Sequence, residues 1–176
     1  SLAVFAVAGS NTQTVEQGVR DLADFLHMLG NPVGVISAGN SQSLERFLDL
    51  NYPLSILDVQ RTMAVCAEDA VILALSEETL NDDALQSVNV DVLGCDDKGL
   101  SEAEIVKSVA RFGCTVGKQT HIAGRTQESD ALAAQATEAY GQTDSSALSL
   151  SIAMVLAAGV RKANIKSALR VSRDLN

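Results

Sequence analysis

The residues best placed to do chemistry come early in the chain. Gly9, Ser10, Asn11, Thr12 and Thr14 lie in a small polar loop, Gly9 to Thr14. An apolar run, Leu2 to Val7, precedes the loop, and a helix is expected to start near Val15. A strand, loop and helix in this order open nucleotide-binding α/β domains, because loop N–H groups and the helix N-terminus attract phosphate. Phosphate loops also carry several glycines, which let the backbone approach the ligand, and a lysine as a point charge. Here Gly9 is the one glycine, and no lysine occurs between Ser1 and Gly30. The spacing suits the architecture while the cationic chemistry is missing.

A second group is basic. Arg161, Lys162, Lys166, Arg170 and Arg173 form the only basic cluster in a chain of net charge −9. Lys162, Lys166, Arg170 and Arg173 space as one stripe of a helix. Such a stripe is a solvated helix face, a docking site for an acidic protein partner, or a clamp for a small phosphate ligand. The acidic field elsewhere opposes non-specific binding of nucleic acid or acidic membranes.

The remaining candidates are sparse. His27 and His121 have no nucleophile beside them in sequence, so neither is assigned a catalytic role. Cys66, Cys95 and Cys114 show no CxxC or Cys/His spacing, so no metal is expected. Three scattered thiols suit a reducing, cytoplasmic setting. Asp96 and Asp97 beside Cys95 disfavour its thiolate. Glu77-Glu78 and Asp82-Asp83 read as solvated faces or caps.

The elements that must position these residues follow from periodicity. Val15, Val19, Leu22, Phe25, Leu26 and Leu29 repeat at helical spacing, with Thr14 as cap, Gln17 as capping-box partner and Gly30 as stop. Val33 to Ile36 reads as a short strand, Ser37 to Ser43 as a loop and Leu44 to Leu50 as a helix broken by Asn51-Tyr52-Pro53. Leu54 to Val59 suits a strand or a helix. Ala70 to Leu75 and Val88 to Leu93 read as strands, and Asp96 to Gly99 as a turn. Ser101 and Glu104 announce a helix running to Phe112. Thr120 to Ala123 is a possible strand, and Ser129 to Ala139 a helix. Gly141 to Asp144 is read as a turn, Ala147 to Ala158 as an apolar helix and Lys162 to Val171 as a basic one. The apolar run Ala147 to Val160 is too short for a bilayer, which takes roughly 20 residues. Ser1 to Ala8 lacks the basic start of a signal peptide. With 47% hydrophobic and 3% aromatic residues, the core is built of Ala, Val, Leu and Ile. The expectation is one α/β domain over 1–176, with a mostly parallel sheet and helices on both faces.

The first 60 or so residues resemble the MinD/ParA family of deviant-Walker ATPases. That family opens with a strand, a KGGxGKT-type loop and a helix ending in a pattern like NLA. Gly9 to Thr14 fall on the loop and Leu22-Ala23 on the LA of the helix; Val33 to Phe47 and Pro53 to Val59 follow the segments after it. The resemblance implies a P-loop-NTPase-like sheet. It also marks the departures: the signature lysine falls on Ser10, the P-loop lysine on Val15 and the metal-side hydroxyl on Glu16. The two acids of the second-strand turn fall on Ser37 and Gly39. What is implied is a degenerate ATPase without cofactor, serving as a scaffold or localisation partner, or self-associating.

Leu44 to Asp58 also resembles the second helix and third strand of a response-regulator receiver. That likeness would make Asp58 the phosphoacceptor, Ser76 the hydroxyl and Lys98 the cation holding the phosphate. Val7-Ala8 stand where receivers carry the Mg²⁺-binding acidic pair. Ala157 to Asn176 would then resemble the start of a LuxR-type helix-turn-helix that ends partway through its recognition helix. A third class, an enzyme acting on an unidentified small ligand, stays open.

Overall fold

The computed structural model describes residues 2–43, 46–97, 99–139 and 146–175, with side chains described through 136 in the fourth helix and through 170 in the last. Strand β1 (Ala3–Ala8) has apolar side chains on both faces. Val4, Ala6 and Ala8 enter one core cluster, and Phe5 and Val7 the other. Continuous apolar sequence of this kind belongs to a strand covered on both sides. Accordingly β1 lies inside the sheet, parallel to β5 (Ala70–Ala74) and β6 (Val92–Cys95), with Phe5 in register with Ile72 and Val92.

Strands β2 (Gly34–Ile36) and β7 (His121–Ala123) extend the parallel sheet outward. Strands β3 (Gln42–Ser43) and β4 (Arg46–Phe47) add an antiparallel edge. The full order is β4-β3-β2-β5-β1-β6-β7. Helices α1 (Thr12–Met28), α4 (Gln127–Ala139), α5 (Ser146–Ala157) and α6 (Lys162–Leu175) serve one face, through residues such as Leu22, Leu132, Ile152 and Ile165. Helices α2 (Ile56–Ala64) and α3 (Glu102–Val109) serve the other, through Val59, Ile105 and Val109. The chain is thus α/β with a mostly parallel sheet and helices on both faces, a Rossmann-like arrangement. Among the described residues, no helix is long and apolar enough to cross a membrane.

Counting only the parallel strands in chain order, the sheet runs 2-3-1-4-5. Receiver-type doubly wound sheets run 2-1-3-4-5.

Several boundaries differ from expectation, each for a local reason. Helix α1 begins at Thr12, because Asn11 rather than Thr14 is its cap; the Asn11 side chain accepts the Thr14 N–H at 3.1 Å. The expected helix at Leu44 to Leu50 is replaced by the β3–β4 edge, with Leu44 and Glu45 outside the described residues. Leu48 N–H bonds to the Ser41 carbonyl, so sheet pairing wins over a short helical pattern. Leu54 forms an isolated bridge to Leu80, and the helix after it starts at Ile56. Val88 and Val90 are buried, but they pair through Asn89 with Thr115, and the ladder beside β1 begins only at Val92. A 3₁₀ turn at Ala110–Phe112 follows α3, and Gly113 ends it at φ 82°, a left-handed conformation that glycine adopts without strain. The turn expected at Gly141 to Asp144 and the residue Lys98 lie outside the described residues.

Helix α5 packs closely on β6 because Gly94 has no side chain. A Cβ at Gly94 would lie 2.3 Å from Met154 Sδ and 2.8 Å from Met154 Cγ. Gly94→Ala should therefore cost about 1–3 kcal/mol by overpacking. Combining it with Met154→Ala should cost less than the sum of the two single changes, as neighbours sharing one space are coupled. Urea unfolding of the four chains measures this; strict additivity would place the cost of Gly94→Ala elsewhere.

Candidate functional site

The candidate site forms where the winding of the sheet reverses. From β1 the chain crosses to α1 on one face. From β5 and β6, which flank β1, it crosses to the other face, through Leu80, Ala84 and Leu85 and through α3. Crevices at such reversals, outside the carboxyl ends of the strands, are where open α/β sheets hold ligands.

The expected loop residues split between two elements. Gly9, Ser10 and Asn11 make a three-residue connection, while Thr12 and Thr14 are already in the first turn of α1. The connection is committed to internal bonds. The Asn11 side chain takes the Thr14 N–H, and the Asn11 carbonyl takes the Val15 N–H at 3.0 Å. Ser10 donates both its N–H and its hydroxyl to one atom, Asp97 Oδ1, at 3.2 and 3.1 Å. Asp97 follows β6, so these two bonds tie the β1–α1 connection to the β6–α3 connection across the reversal.

In the sequence Asp97 stood out only as a turn residue and as a charge beside Cys95. Its carboxylate is the acceptor that a phosphate oxygen would otherwise supply to Ser10. Gly9 leaves little room beside it: an added Cβ would lie 3.2 Å from Val15 Cγ2 and 3.7 Å from Asp97 Oδ1. Val15, on the P-loop lysine's position, is a buried core residue.

Among the described residues, clefts open beside the β1–α1 connection and the start of α1, and three of them each contain one arginine. The largest, about 800 Å³, runs along α1 past Asn11, Gln13 and Arg20 to Asp96 and Ser146. A second, about 300 Å³, lies between Ser10, Ser76, Asp97 and Arg111. A third, about 390 Å³, lies between Asp97, Glu102, Arg125 and Asp130. The arginines are engaged within the chain. Arg111 meets Glu77 at 3.6 Å and Asp82 at 3.3 Å, with its guanidinium 5.0 Å from the centre of the Phe112 ring. Arg125 meets Asp130 at 3.1 Å, and Arg20 donates to Gln17 Oε1 at 2.8 Å.

Glu16 adds negative charge to the largest cleft. Burial foremost, and then the Glu78 carboxylate, push its carboxyl above the ordinary 4.5, with Arg20 pulling the other way. One of its oxygens, Oε1, is enclosed without a hydrogen-bond partner. Burial likewise pushes the Cys95 thiol up, helped by the Asp97 and Asp96 carboxylates and opposed by a backbone hydrogen bond. The thiol form is favoured, as the sequence implied. Among the described residues, no three His, Cys, Asp or Glu side chains gather as metal ligands.

Asp58 is not at the end of a strand. It is the third residue of α2 and completes a capping box: Ser55 N–H donates to Asp58 Oδ2 at 3.1 Å, and Asp58 N–H to Ser55 Oγ at 3.2 Å. Hydrogen bonding to the carboxylate from the Ser55 backbone first and then its side chain, with Arg61 adding to it, holds the Asp58 carboxyl below the ordinary 3.8. The residue that the receiver likeness makes a phosphoacceptor at a strand end is here part of a helix cap. Ser76 is buried in the turn after β5 and donates to Thr79 Oγ1 at 3.0 Å.

The basic stripe sits on α6, away from the sheet. Lys162 pairs with Glu128 of α4 at 3.1 Å, while Lys166 and Arg170 are exposed. The Arg173 side chain lies outside the described residues. His27 and His121 are exposed, on α1 and at the start of β7. No protein-family model matches the chain, and no curated protein matches it.

The two displaced carboxyls have opposite linkage to pH. Asp58, held low in the fold, stabilises it above pH 3.8, and that contribution is lost as pH falls through its lowered value. Asp58→Ala should thus lower the melting temperature at pH 7 and hardly at all at strongly acid pH. Glu16, raised in the fold, favours it below pH 4.5, and that advantage is lost as pH rises through its raised value. Glu16→Gln should therefore raise the melting temperature at pH 7, by about 1–2 °C, and leave it unchanged near pH 4. Thermal melts across pH measure both; shifts independent of pH would remove the electrostatic explanation.

Proposed function

We propose that this chain is a catalytically degenerate, P-loop-like protein that acts as a scaffold or localisation partner in a larger assembly. The observation that carries the reading is the double hydrogen bond from Ser10 to Asp97. A phosphate loop must offer its donors to the ligand, and here the chain's own carboxylate takes them. A triphosphate entering this crevice would meet the Asp97 carboxylate and would have to draw Arg111 and Arg125 away from their own acidic partners. The likeness to deviant-Walker ATPases supplies the architecture of the reading, and the residues on that family's functional positions supply the degeneracy. Ser10 and Val15 stand for the two lysines, Glu16 for the metal-side hydroxyl, and Ser37 and Gly39 for the acids. A protein that keeps this sheet without turnover has its surface left for partners. The receiver alternative is weakened by the 2-3-1-4-5 strand order and by the capping role of Asp58.

Calorimetry of the purified chain with ATP and Mg²⁺ tests the reading. The expected result is no heat beyond dilution and no phosphate release on prolonged incubation. A dissociation constant in the micromolar range, about −8 kcal/mol of binding, or measurable hydrolysis would overturn it.

A further inference from the structure

The charge of the chain is divided unevenly. Residues 161–176 hold five of the thirteen Lys and Arg and only one acid, Asp174, for a net +4. Residues 1–160 hold the other eight cations and the other 21 acids, for a net −13. Helix α6 buries Ile165 against its neighbours and ties Lys162 to Glu128 of α4. Lys166 and Arg170 point to solvent, and among the described residues neither has an ion-pair partner. At the turn after β5, Glu77, Glu78, Asp82 and Asp83 are all exposed. Arg111 meets Glu77 and Asp82, and Glu78 and Asp83 have no ion pair among the described residues.

We propose that α6 is the surface through which this chain binds a second copy of itself, with Lys166 and Arg170 of one copy facing Glu78 and Asp83 of the other. The reason is charge complementarity. The most cationic element of the chain presents Lys166 and Arg170 to solvent. The body of a second copy carries exposed acids of the opposite sign at Glu78 and Asp83, without ion pairs among the described residues. The Lys162–Glu128 pair is the same match of α6 to the acidic body, made within one chain. If each copy contributes both surfaces, the contact is reciprocal and closes as a two-fold dimer. The net charge of −9 opposes approach at long range. At physiological ionic strength charges more than about 8 Å apart are screened, which leaves the close opposite pairs; at about 1 M the screening length falls to about 3 Å and those exposed pairs are screened as well. The association is thus short-ranged and salt-sensitive. None of its residues belongs to the Ser10–Asp97 tie, and only Glu78 also acts on the crevice, through Glu16.

Sedimentation velocity of the 176-residue chain tests it, at about 100 µM so that micromolar association is populated. The expected result is a dimer at about 0.1 M salt and a monomer at about 1 M. Lys166→Glu with Arg170→Glu should be monomeric at both. So should Glu78→Lys with Asp83→Asn, asparagine being suited to the φ of 62° at position 83. Mixing the two variants should restore the dimer at low salt, because each mutated surface then meets its complement, which also shows that both variants are folded. A wild-type monomer at both salts, association that survives charge reversal, or a mixture that stays monomeric would overturn the proposal.

Discussion

Burial of β1 on both faces is the constraint from which the rest of the molecule follows. Its apolar residues need a sheet neighbour on each side and a helical layer above and below. The chain meets this by crossing to α1 on one face and by bringing β5 and β6 in from the other. That arrangement makes the end of β1 the reversal point of the sheet. The short β1–α1 connection is therefore placed at the crevice whatever its residues are. Gly94 in β6 has a matching role, since a side chain there would stand between the β6 backbone and Met154 of α5.

What occupies the crevice is decided by polar residues, and their signs agree with one another. Asp97 accepts from Ser10, Glu16 is held above its ordinary range by burial and Glu78, and Arg111 and Arg125 are spent on carboxylates. A site for a polyanion reverses this pattern, keeping cations free and carboxylates away unless a metal sits between. The fold supplies a ligand-binding position, and the side chains close it from inside.

The layers and most of the elements were legible in the sequence, because doubly buried strands and amphipathic helices leave strong periodic signals. Val15 to Leu26 is such a helix, and Ser101 with Glu104 announced α3 through a capping box that the structure contains. Expectations failed where tertiary pairing outweighed local pattern. Where a helix was expected over Leu44 to Leu50, Arg46 and Phe47 pair into the sheet edge and the Leu48 N–H bonds to the Ser41 carbonyl. Asp58 looked like a strand end because Leu54 to Val59 is mostly apolar, yet Ser55 caps a helix within it. Of the site, Gly9, Ser10 and Asn11 could be placed from the strand–loop–helix pattern. Asp97 could not, since it reaches Ser10 across 87 positions of sequence and only the parallel pairing of β1 with β6 brings the two together.

The closed connection is tested most directly by hydrogen exchange at the Ser10 amide, followed residue by residue in the wild type and in Asp97→Ala. If Asp97 holds the connection shut, the Ser10 amide exchanges more slowly in the wild type than in the variant, while the amides of Phe5 and Val7 inside β1 keep the same protection in both. Equal exchange at Ser10 in the two chains would contradict the tie, and with it the view that the crevice is occupied by the protein's own carboxylate.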